Sequence, residues 1–426
     1  MAAAPARQAA GAADLRGRRA AVIALSYYPW DPRIRRETEA LADLGLAIDL
    51  YCLQEDVREP QREEIKGVQV RRMRLRRART SRTRYFFEYL GFFVWGFWNL
   101  TVASLRHRYA LVHVHNVPDL LVFTSIVPRL RGARIILDLH DPMPELFRTI
   151  FGLGPKHPFV RLLTWSERMS AMYADVVLTP NRGFLNLFIR RTRLPRKFNI
   201  IMNSPADEIF RPRLDGRVRP EALSADRPFR LMYHGLIAQR HGLDVLIHAV
   251  NLLVARIPQV QLDIYGAANP YLPKVLALIS ELRLESRIRY HGKKSLSGIA
   301  ALIEGIDLGI VPNRRTPFTE INFPTRIFEY LALHKPVIVL NTAGVRDYFT
   351  SDEIFFFDSD QPAALAEVIG QIHRHPDRAL RVVERGRAVY EQHRWRDEKL
   401  RFAQLVSQLL EAPPPANAAA AESGAK

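Results

Sequence analysis

Residues 21–52 read AVIALSYYPWDPRIRRETEALADLGLAIDLYC, and the alternation within them sets the architecture predicted for the whole chain. Residues 21–28 form an apolar run of the length of a buried strand. Residues 33–44 carry helical spacing and stop at Gly45, and residues 46–52 form the next apolar run. Two apolar strands joined by a helix are typical of a parallel sheet, whose strands are covered on both faces.

The same alternation continues along the chain, pauses and restarts. Further apolar runs occur at residues 110–115, 134–139, 175–179 and 199–202. After an aperiodic stretch rich in Pro, Asp and Arg, apolar runs return at residues 229–234, 260–265, 288–290, 308–311, 336–340 and 354–357. The chain is therefore predicted to be α/β, with two doubly wound, parallel-sheet domains at 20–209 and 229–394 and a linker at 210–228. Two such domains that face each other are expected to leave an inter-domain cleft.

The two ends of the chain have a different character. Residues 1–19 are rich in alanine and lack the apolar core of a secretory signal, and residues 411–426 are of low complexity. Both are predicted to be disordered. Residues 395–410 carry leucines at helical spacing, and they are predicted to form a helix that packs back on the first domain.

Charge and cysteine content narrow the class of partner. Lys and Arg outnumber Asp and Glu by 62 to 44, which gives a formal charge of +18 and favours anionic partners. The single Cys52 excludes an internal disulfide and indicates a reducing compartment.

A basic and aromatic stretch stands apart from the alternating pattern. Residues 71–84 hold eight arginines and no acid, and residues 85–105 are dense in Phe, Trp and Tyr. Because Glu88 and Asn99 interrupt the second block, an interfacial helix on an anionic membrane is favoured over an internal helix or a membrane span. Nucleic acid is not expected as a partner, since the arginines and the rings form separate blocks and do not interleave.

The most specific local pattern is FPTRIFEYLALHKPVI at residues 323–338. Pro324 suits the first turn of a helix, which then presents Arg326 near its N-terminus and Glu329 one turn later. An arginine at a helix N-terminus suits a diphosphate, and an ionised carboxylate can accept hydrogen bonds from a ribose diol.

This segment resembles the signature of glycosyltransferase family 4, roughly Pro-x-Lys-x-x-Glu-Tyr-x-Ala-x-Gly-Lys-Pro-Val-Ile. The resemblance implies a GT-B fold and transfer from a nucleoside-diphosphate sugar, with retention of anomeric configuration and without a metal or other cofactor. It implies that Glu329 binds the ribose and that Arg326 lies near the donor; Pro324 and Asn322 are assigned to the same donor site.

The segment departs from the family pattern at three positions. Arg326 replaces a lysine, and His334 replaces the usual glycine. The family often has a second glutamate eight residues before Glu329, where this chain has Ile321. The adjacent Glu320 is therefore assigned a catalytic contact to the donor sugar.

A second match to the family lies at residues 233–250, YHGLIAQRHGLDVLIHAV. Relatives end a strand at a glycine here and continue with cations that neutralise the departing diphosphate. Gly235 matches that glycine. The arginine and lysine usual in the family are replaced by Leu236 and His241, so Arg240 is assigned to the diphosphate.

The first domain offers side chains that follow its strands. The loop at residues 26–37 contains no glycine to cradle a phosphate, so Asp31 and Arg33 are predicted to contact the acceptor or cleft through their side chains. His113 and His115 share one face of a strand, but no acidic or cysteine partner lies nearby in sequence, so no metal is predicted.

The family resemblance assigns further roles at the same strand ends. Related mannosyltransferases carry His-x-His-x-x-Pro with the second histidine in the cleft, which implies a catalytic contact for His115. Relatives also carry His-Asp or His-Glu after the next strand. We therefore predict a catalytic-site role for His140 and a cleft position for Asp141.

The predicted function is transfer of a sugar from a nucleotide-sugar donor to a glycan acceptor in surface polysaccharide biosynthesis. The acceptor is expected to be membrane-bound, with a polyprenyl-diphosphate sugar suiting the interfacial segment. The protein is then expected in the cytoplasm, at the inner face of the membrane. Two alternatives remain: a nucleotide-sugar epimerase of the same fold, and a non-catalytic membrane-bound scaffold for a partner transferase.

Overall fold

The structure, a computed structural model, describes residues 15–75, 82–212 and 227–412. Most of the two predicted tails, the centre of the predicted linker and part of the arginine-rich stretch lie outside the described residues. The chain divides into two compact units: a first unit of residues up to 180, 184–202 and 397 onward, and a second unit of residues 181–183 and 203–396.

Among the described residues, the first unit is built on one sheet of eight strands. These are β1 (Arg19–Tyr27), β2 (Ala47–Leu53), β3 (Arg62–Ile65), β4 (Val68–Met73), β5 (Leu111–His115), β6 (Arg134–Asp138), β7 (Val176–Thr179) and β8 (Phe198–Ile200). Their order is β3-β4-β2-β1-β5-β6-β7-β8, and every pair is parallel except β3 with β4. The helices before residue 203 are α1 (Pro32–Asp43), α2 (Arg82–Arg106), α3 (Ile126–Leu130), α4 (Met143–Phe151), α5 (Pro158–Tyr173) and α6 (Arg182–Thr192).

The second unit has a parallel sheet of six strands in its described part. These are β9 (Phe229–His234), β10 (Val260–Tyr265), β11 (Ile288–Tyr290), β12 (Leu308–Val311), β13 (Val337–Leu340) and β14 (Phe355–Phe357), in the order β11-β10-β9-β12-β13-β14. The remaining helices are α7 (Leu243–Leu253), α8 (Leu272–Glu281), α9 (Leu296–Glu304), α10 (Arg326–Ala332), α11 (Ala343–Arg346), α12 (Pro362–Arg374), α13 (Pro376–Glu391) and α14 (Trp395–Glu411). The prediction of two doubly wound α/β domains is confirmed.

The core of the second unit shows why the apolar runs become strands and helices. On α7 the side chains of Leu243, Leu246, Ile247 and Val250 are all buried, at the spacing of one helical face. They pack with the buried side chains of the sheet and of α12 in one apolar cluster. Burial of this kind contributes about 1.5–3 kcal/mol for each large aliphatic side chain.

Each sheet reverses its strand order once beside its first strand, and these reversals place the candidate sites. In the first unit the chain passes from β1 to β2 on one side and β5 lies on the other. In the second unit β9 lies between β10 and β12 in the same way. Ligands of doubly wound sheets bind beyond the carboxyl ends of the strands at such switch points. Ligand sites are therefore expected in the loops that follow β1 and β5 and in those that follow β9 and β12.

The start of the arginine-rich stretch is structural. Arg71 and Arg72 belong to β4, a strand missed in the sequence analysis, and the Arg72 side chain is buried between Glu59 and Glu63. A buried charge is tolerated when it is paired and hydrogen-bonded, and the guanidinium also donates to the Pro60 carbonyl at 3.0 Å. Both arginines have a structural place in the sheet, so neither one indicates an anionic partner outside the protein.

Helix α2 (Arg82–Arg106), which holds the aromatic block, has one buried and one exposed face. Phe92 and Leu100 are buried against the unit, and the Glu88 side chain is buried as well. Trp98, at 67% exposure, lies on a face that also includes Phe87 and Val94. Within the described ranges, no helix has both the length and the apolar character needed to cross a membrane.

The first unit begins earlier than predicted. Residues 15–19 are ordered: Leu15 is buried and β1 begins at Arg19. At the other end, α14 extends to Glu411 and belongs to the first unit from Asp397 onward. Its buried Glu398 accepts a hydrogen bond from the Met202 amide at 3.0 Å.

Candidate functional site

The loop after β9 brings two predicted donor-site residues together. Gly235 has a φ of +127°, and a Cβ atom built there would lie 3.1 Å from Nη1 of Arg326. An L-residue is strained at this φ, and its side chain would crowd the guanidinium. Glycine at position 235 therefore lets the arginine lie against the end of the strand.

The Arg326 guanidinium is held in a fixed position. Its Nη1 donates to the His234 carbonyl at 2.6 Å, and its Cζ lies 5.0 Å from the centre of the Tyr233 ring. Its Nη2 lies 3.5 Å from the Asn313 Oδ1, in the loop after β12. The charge of Arg326 is thus placed at the switch point of the second sheet.

Glu329 lies one helical turn further along, in a hydrogen-bonded chain. Its Oε2 is 2.5 Å from His234 Nε2, and His234 Nδ1 is 2.9 Å from the hydroxyl of Tyr330. With the proton on Nε2, the histidine donates to the carboxylate and fixes its orientation. The other oxygen, Oε1, has no hydrogen-bond partner among the described residues, so the carboxylate keeps acceptor capacity for a diol.

A second cation lies close to the first. Burial lowers the pKa of the His241 imidazole well below its ordinary value, and the positive charges of Arg326 and Arg240 lower it further. His241 is therefore neutral, with its Nδ1 3.0 Å from Asn313 Oδ1. Arg240 and Arg326 therefore both direct positive charge at the loop after β9, and a diphosphate is an anion that such guanidiniums neutralise.

The predicted residues at 320–324 lie in the loop before α10. Glu320 forms an ion pair with Arg315, and its other oxygen accepts from the Ala343 amide at 3.1 Å. The carboxylate thus ties this loop to the start of α11, and its predicted contact to a donor sugar remains a prediction. The backbone N–H of Asn322 donates to the Phe318 carbonyl at 3.1 Å.

Pro324 was predicted to lie in the first turn of the helix, but it lies before the helix begins. The N-cap of α10 is Thr325, and Pro324 precedes it. The Pro324 carbonyl accepts from the Ile327 amide at 3.0 Å, so the residue closes a tight turn that leads into the helix.

In the first unit, Asp138 links two predicted catalytic residues. Its Oδ2 lies 3.0 Å from Nδ1 of His115 and 3.1 Å from Nδ1 of His140. One oxygen can accept from both rings, which fixes each with its proton on Nδ1 and leaves Nε2 as an acceptor. His115 Nε2 is buried and has no hydrogen-bond partner among the residues that the structure describes, and His140 is slightly more exposed.

Asp138 was not singled out in the sequence analysis. Burial acts to raise the pKa of this carboxyl, but His140 and His115 outweigh it and hold the pKa well below its ordinary value. One sequence signal points to the residue: Asp138 and His140 are two positions apart at the end of an apolar run, the spacing of one strand face. The register that pairs His115 with Asp138 is known only from the structure.

Asp31 and Arg33 lie beside this group. Asp31 caps α1 by accepting from the Arg33 amide at 3.0 Å. Burial opposes its charge, yet Arg33 and Ser26 lower the pKa of Asp31 to about 2. Burial also opposes the charge on Arg33, but Asp31 and then Asp141 outweigh it and raise the pKa of the guanidinium.

Asn116 fixes the position of the loop that carries Asp141. Its Nδ2 donates to the Asp141 carbonyl at 2.7 Å, and its Oδ1 accepts from the His140 amide at 3.1 Å. The structure thus brings Asp31, Arg33, Asp141 and His140 to one switch point, and Asn116, which received no role in the sequence analysis, holds the loop there.

The fold brings acidic residues that are distant in sequence close to His113 and His115. Glu37, His113 and His115 offer ligand atoms within 4.8 Å of one another, and so do His115, Asp138 and His140. Burial raises the pKa of Glu37 well above its ordinary value and lowers that of His113 well below, so burial favours the neutral form of both side chains. These are the described residues that could hold a metal ion.

Two family models match the chain, one in each half. The model described as "Glycosyl transferase 4-like domain" matches residues 30–203, and the model described as "Glycosyl transferases group 1" matches residues 217–389. Together they include the switch points of both sheets.

One curated relative matches over a short segment. The chain is 33% identical over 73 residues to TuaH of Bacillus subtilis, which is assigned to teichuronic acid biosynthesis as a glycosyltransferase. The match spans 16% of this chain and only 18% of the relative.

Solved structures of similar fold match nearly the whole chain. Sucrose-phosphate synthase from Thermosynechococcus elongatus superposes with a TM-score of 0.76 at 20% identity, covering 93% of this chain and 100% of that one. HepE of Anabaena, in complex with UDP and glucose, gives 0.68 at 15% identity, with coverage of 92% and 100%. WaaG, involved in lipopolysaccharide biosynthesis, gives 0.64 at 15% identity, with coverage of 91% and 99%. With both of its halves matched by glycosyltransferase models, the chain belongs to the family-4-like glycosyltransferases of the GT-B fold.

Proposed function

We propose that the protein transfers a sugar from a nucleoside-diphosphate sugar to a lipid-linked glycan acceptor, with retention of anomeric configuration and without a metal. The observation that carries the proposal is the convergence of Arg326, Arg240 and Glu329 at the switch point of the second sheet. The donor class also has support from similar structures, since HepE was solved with UDP and glucose.

The second unit supplies the donor side of the reaction. As the bond to the sugar breaks, negative charge develops on the departing diphosphate, and Arg326 and Arg240 stabilise that charge. Both guanidiniums belong to the folded site, so little reorganisation is needed at the moment of reaction. Oε1 of Glu329 accepts from the ribose hydroxyls, while His234 holds the carboxylate in place.

The first unit supplies groups for the acceptor. With Nδ1–H bound to Asp138, the His140 ring offers Nε2 as an acceptor for a sugar hydroxyl. Arg33 is assigned to an anionic part of the acceptor, and Asp141 to a hydroxyl. His115, which is more deeply buried, orients the Asp138 carboxylate.

The lipid-linked acceptor and a site at the inner membrane face are proposed from the surface of the first unit. Helix α2 exposes Phe87, Val94 and Trp98, and its acidic residue Glu88 is buried. An exposed apolar face on a chain of charge +18 suits an anionic membrane surface. Surface polysaccharide assembly is the setting proposed for such an acceptor.

The test is binding and turnover of UDP-, GDP- and ADP-sugars by the purified full chain in detergent, with and without EDTA. We expect one nucleotide to bind, EDTA to leave binding and turnover unchanged, and Glu329→Ala to weaken binding by about 10–100-fold. The matched control is Glu281→Ala, an exposed glutamate on α8.

Three other outcomes would contradict the proposal. Release of an epimerised sugar nucleotide would identify the enzyme as an epimerase. Absence of any nucleotide binding would favour a non-catalytic scaffold. Loss of turnover in EDTA, restored by a divalent cation, would overturn the metal-free mechanism and turn attention to His115, Asp138 and His140.

A further inference from the structure

The first unit contains an apolar groove that the donor and acceptor contacts do not use. It encloses about 630 Å³ and lies among α2, α4, α5 and the 3-10 helix Asp119–Ser125. Its lining includes Phe93, Phe123, Phe147 and Leu163, and its polar members are Tyr89, His157 and Ser166. The volume is that of a ligand site, since such pockets occupy about 300–1,000 Å³.

The lining excludes a sugar or a phosphate as the occupant. Among the described residues, no carboxylate, ammonium or guanidinium lines the groove. A sugar hydroxyl or phosphate oxygen buried there would lose its hydrogen bonds to water with few replacements, which is costly. A chain of carbon and hydrogen would instead gain about 0.8 kcal/mol for each buried methylene.

The groove opens between two helices with exposed apolar side chains. Leu90 on α2 and Leu162 and Trp165 on α5 line it and are 45%, 56% and 55% exposed. Arg161 and Arg168, also exposed, belong to the same α5. Apolar side chains flanked by cations are typical of a surface that meets anionic headgroups, so a lipid chain could enter the groove from a membrane.

The inner part of the groove lies next to the candidate acceptor residues. Pro118, which lines it, is two residues from Asn116, and Met143, which also lines it, is two residues from Asp141. The side-chain amide of Asn116 is bonded to the carbonyl of Asp141. One molecule with a polar head and an apolar tail can therefore contact the acceptor residues and the groove together.

We propose that this groove binds the isoprenoid chain of the lipid-linked acceptor. The inference rests on the proposed function, because that function supplies an acceptor with such a chain. The groove then selects the acceptor by its lipid, while His140, Asp141 and Arg33 contact its head.

The first experiment locates the site with a photoactivatable probe. Full-length protein in detergent micelles is irradiated with a diazirine derivative of geranylgeranyl phosphate, and labelled peptides are mapped by mass spectrometry. We expect labels on the segments that line the groove, above all on α2 and α5, and protection by undecaprenyl phosphate. Labels confined to other segments, or equal protection by phosphatidic acid, would overturn the proposal, since the second result describes a site for any lipid chain.

The second experiment measures undecaprenyl phosphate binding with variants of exposed lining residues, which keep the buried core intact. The double variant Leu162→Gln/Trp165→Gln is expected to raise the Kd by about tenfold or more. Leu252→Gln, an equally exposed leucine on α7, is the control and is expected to leave the Kd unchanged. An unchanged Kd in the double variant would also overturn the proposal.

Nucleotide binding separates this proposal from the proposed function. In the double variant we expect the Kd for the donor nucleotide to stay as in the wild type, because the groove lies in the other unit. Nucleotide binding with no labelling of the groove refutes the groove alone. Labelling of the groove without nucleotide binding refutes the transferase and leaves a lipid-binding protein.

Discussion

At position 235 a Cβ atom would strain the backbone and crowd a neighbouring side chain. Gly235→Ala would strain a positive φ and crowd Arg326. We expect nucleotide affinity to fall by about tenfold or more, because the displaced guanidinium loses charge-assisted contacts to the diphosphate. Isothermal titration with the nucleotide that the wild type binds measures the change.

Gly292→Ala is the matched control for that change. Gly292 has a φ of +74°, and a Cβ atom there would meet nothing within 4 Å. Backbone strain is expected to cost about 1–2 kcal/mol at Gly292, and more at Gly235, whose φ of +127° lies further from the left-handed helical region. Equal loss of nucleotide affinity in both would show that strain alone is responsible and would contradict the role given to Arg326.

The buried, neutral His241 is expected to make the folded protein less stable in acid. Its pKa is lowered in the folded protein by burial and then by Arg326 and Arg240. The unfolded chain therefore takes up a proton first as pH falls below about 6.5. The stability contributed by neutral His241 is present above that pH and is lost below it, by up to about 1.4 kcal/mol per pH unit.

The variant His241→Gln removes the group that takes up this proton and keeps an N–H donor for Asn313. We expect its thermal midpoint to fall less than that of the wild type between about pH 8 and pH 5.5. His107→Gln, at an exposed position, is the control and should follow the wild type. Parallel curves for wild type and His241→Gln would show that His241 is not the group that titrates.

At the scale of elements, the exposed apolar face of α2 predicts binding to an anionic membrane. The variant Val94→Gln/Trp98→Gln removes two large exposed apolar groups and touches no buried position. Binding to anionic vesicles, measured by cosedimentation, is expected to weaken by about tenfold or more and to weaken further with salt. The pair Leu252→Gln/Leu276→Gln, at exposed positions of the second unit, serves as control. Equal binding by both double variants would rule out α2 as the membrane contact.

Elements built on apolar runs could be predicted from sequence, and elements built on paired charges could not. The run at 229–234 is β9 residue for residue, because its burial shows directly in its composition. Strand β4 was missed because Arg72 looks solvated until Glu59 and Glu63, 13 and 9 residues earlier, are known to surround it. Local sequence does not show that pairing.

At the scale of the whole molecule, the two candidate sites differ in how far local sequence shows them. In the candidate donor site, Arg326 and Glu329 could be named from sequence because they lie within one short motif. The first-unit cluster was predicted only in part. Asp138 and Asn116 acquire their roles from residues that parallel strands bring together across more than 20 positions of sequence. A single chain gives no direct signal of that juxtaposition.

The membership of α14 in the first unit has a consequence for biosynthesis. The buried Glu398 binds the amide of Met202, and Phe402 packs 5.7 Å from the ring of His113. Domains generally fold as they leave the ribosome, the N-terminal one first. Here the earlier unit lacks its last helix until nearly 200 further residues have been translated, so the second unit can be complete in the nascent chain while the first is still unfinished. A premature stop codon shortly before α14 would therefore damage the half of the protein that was synthesised first.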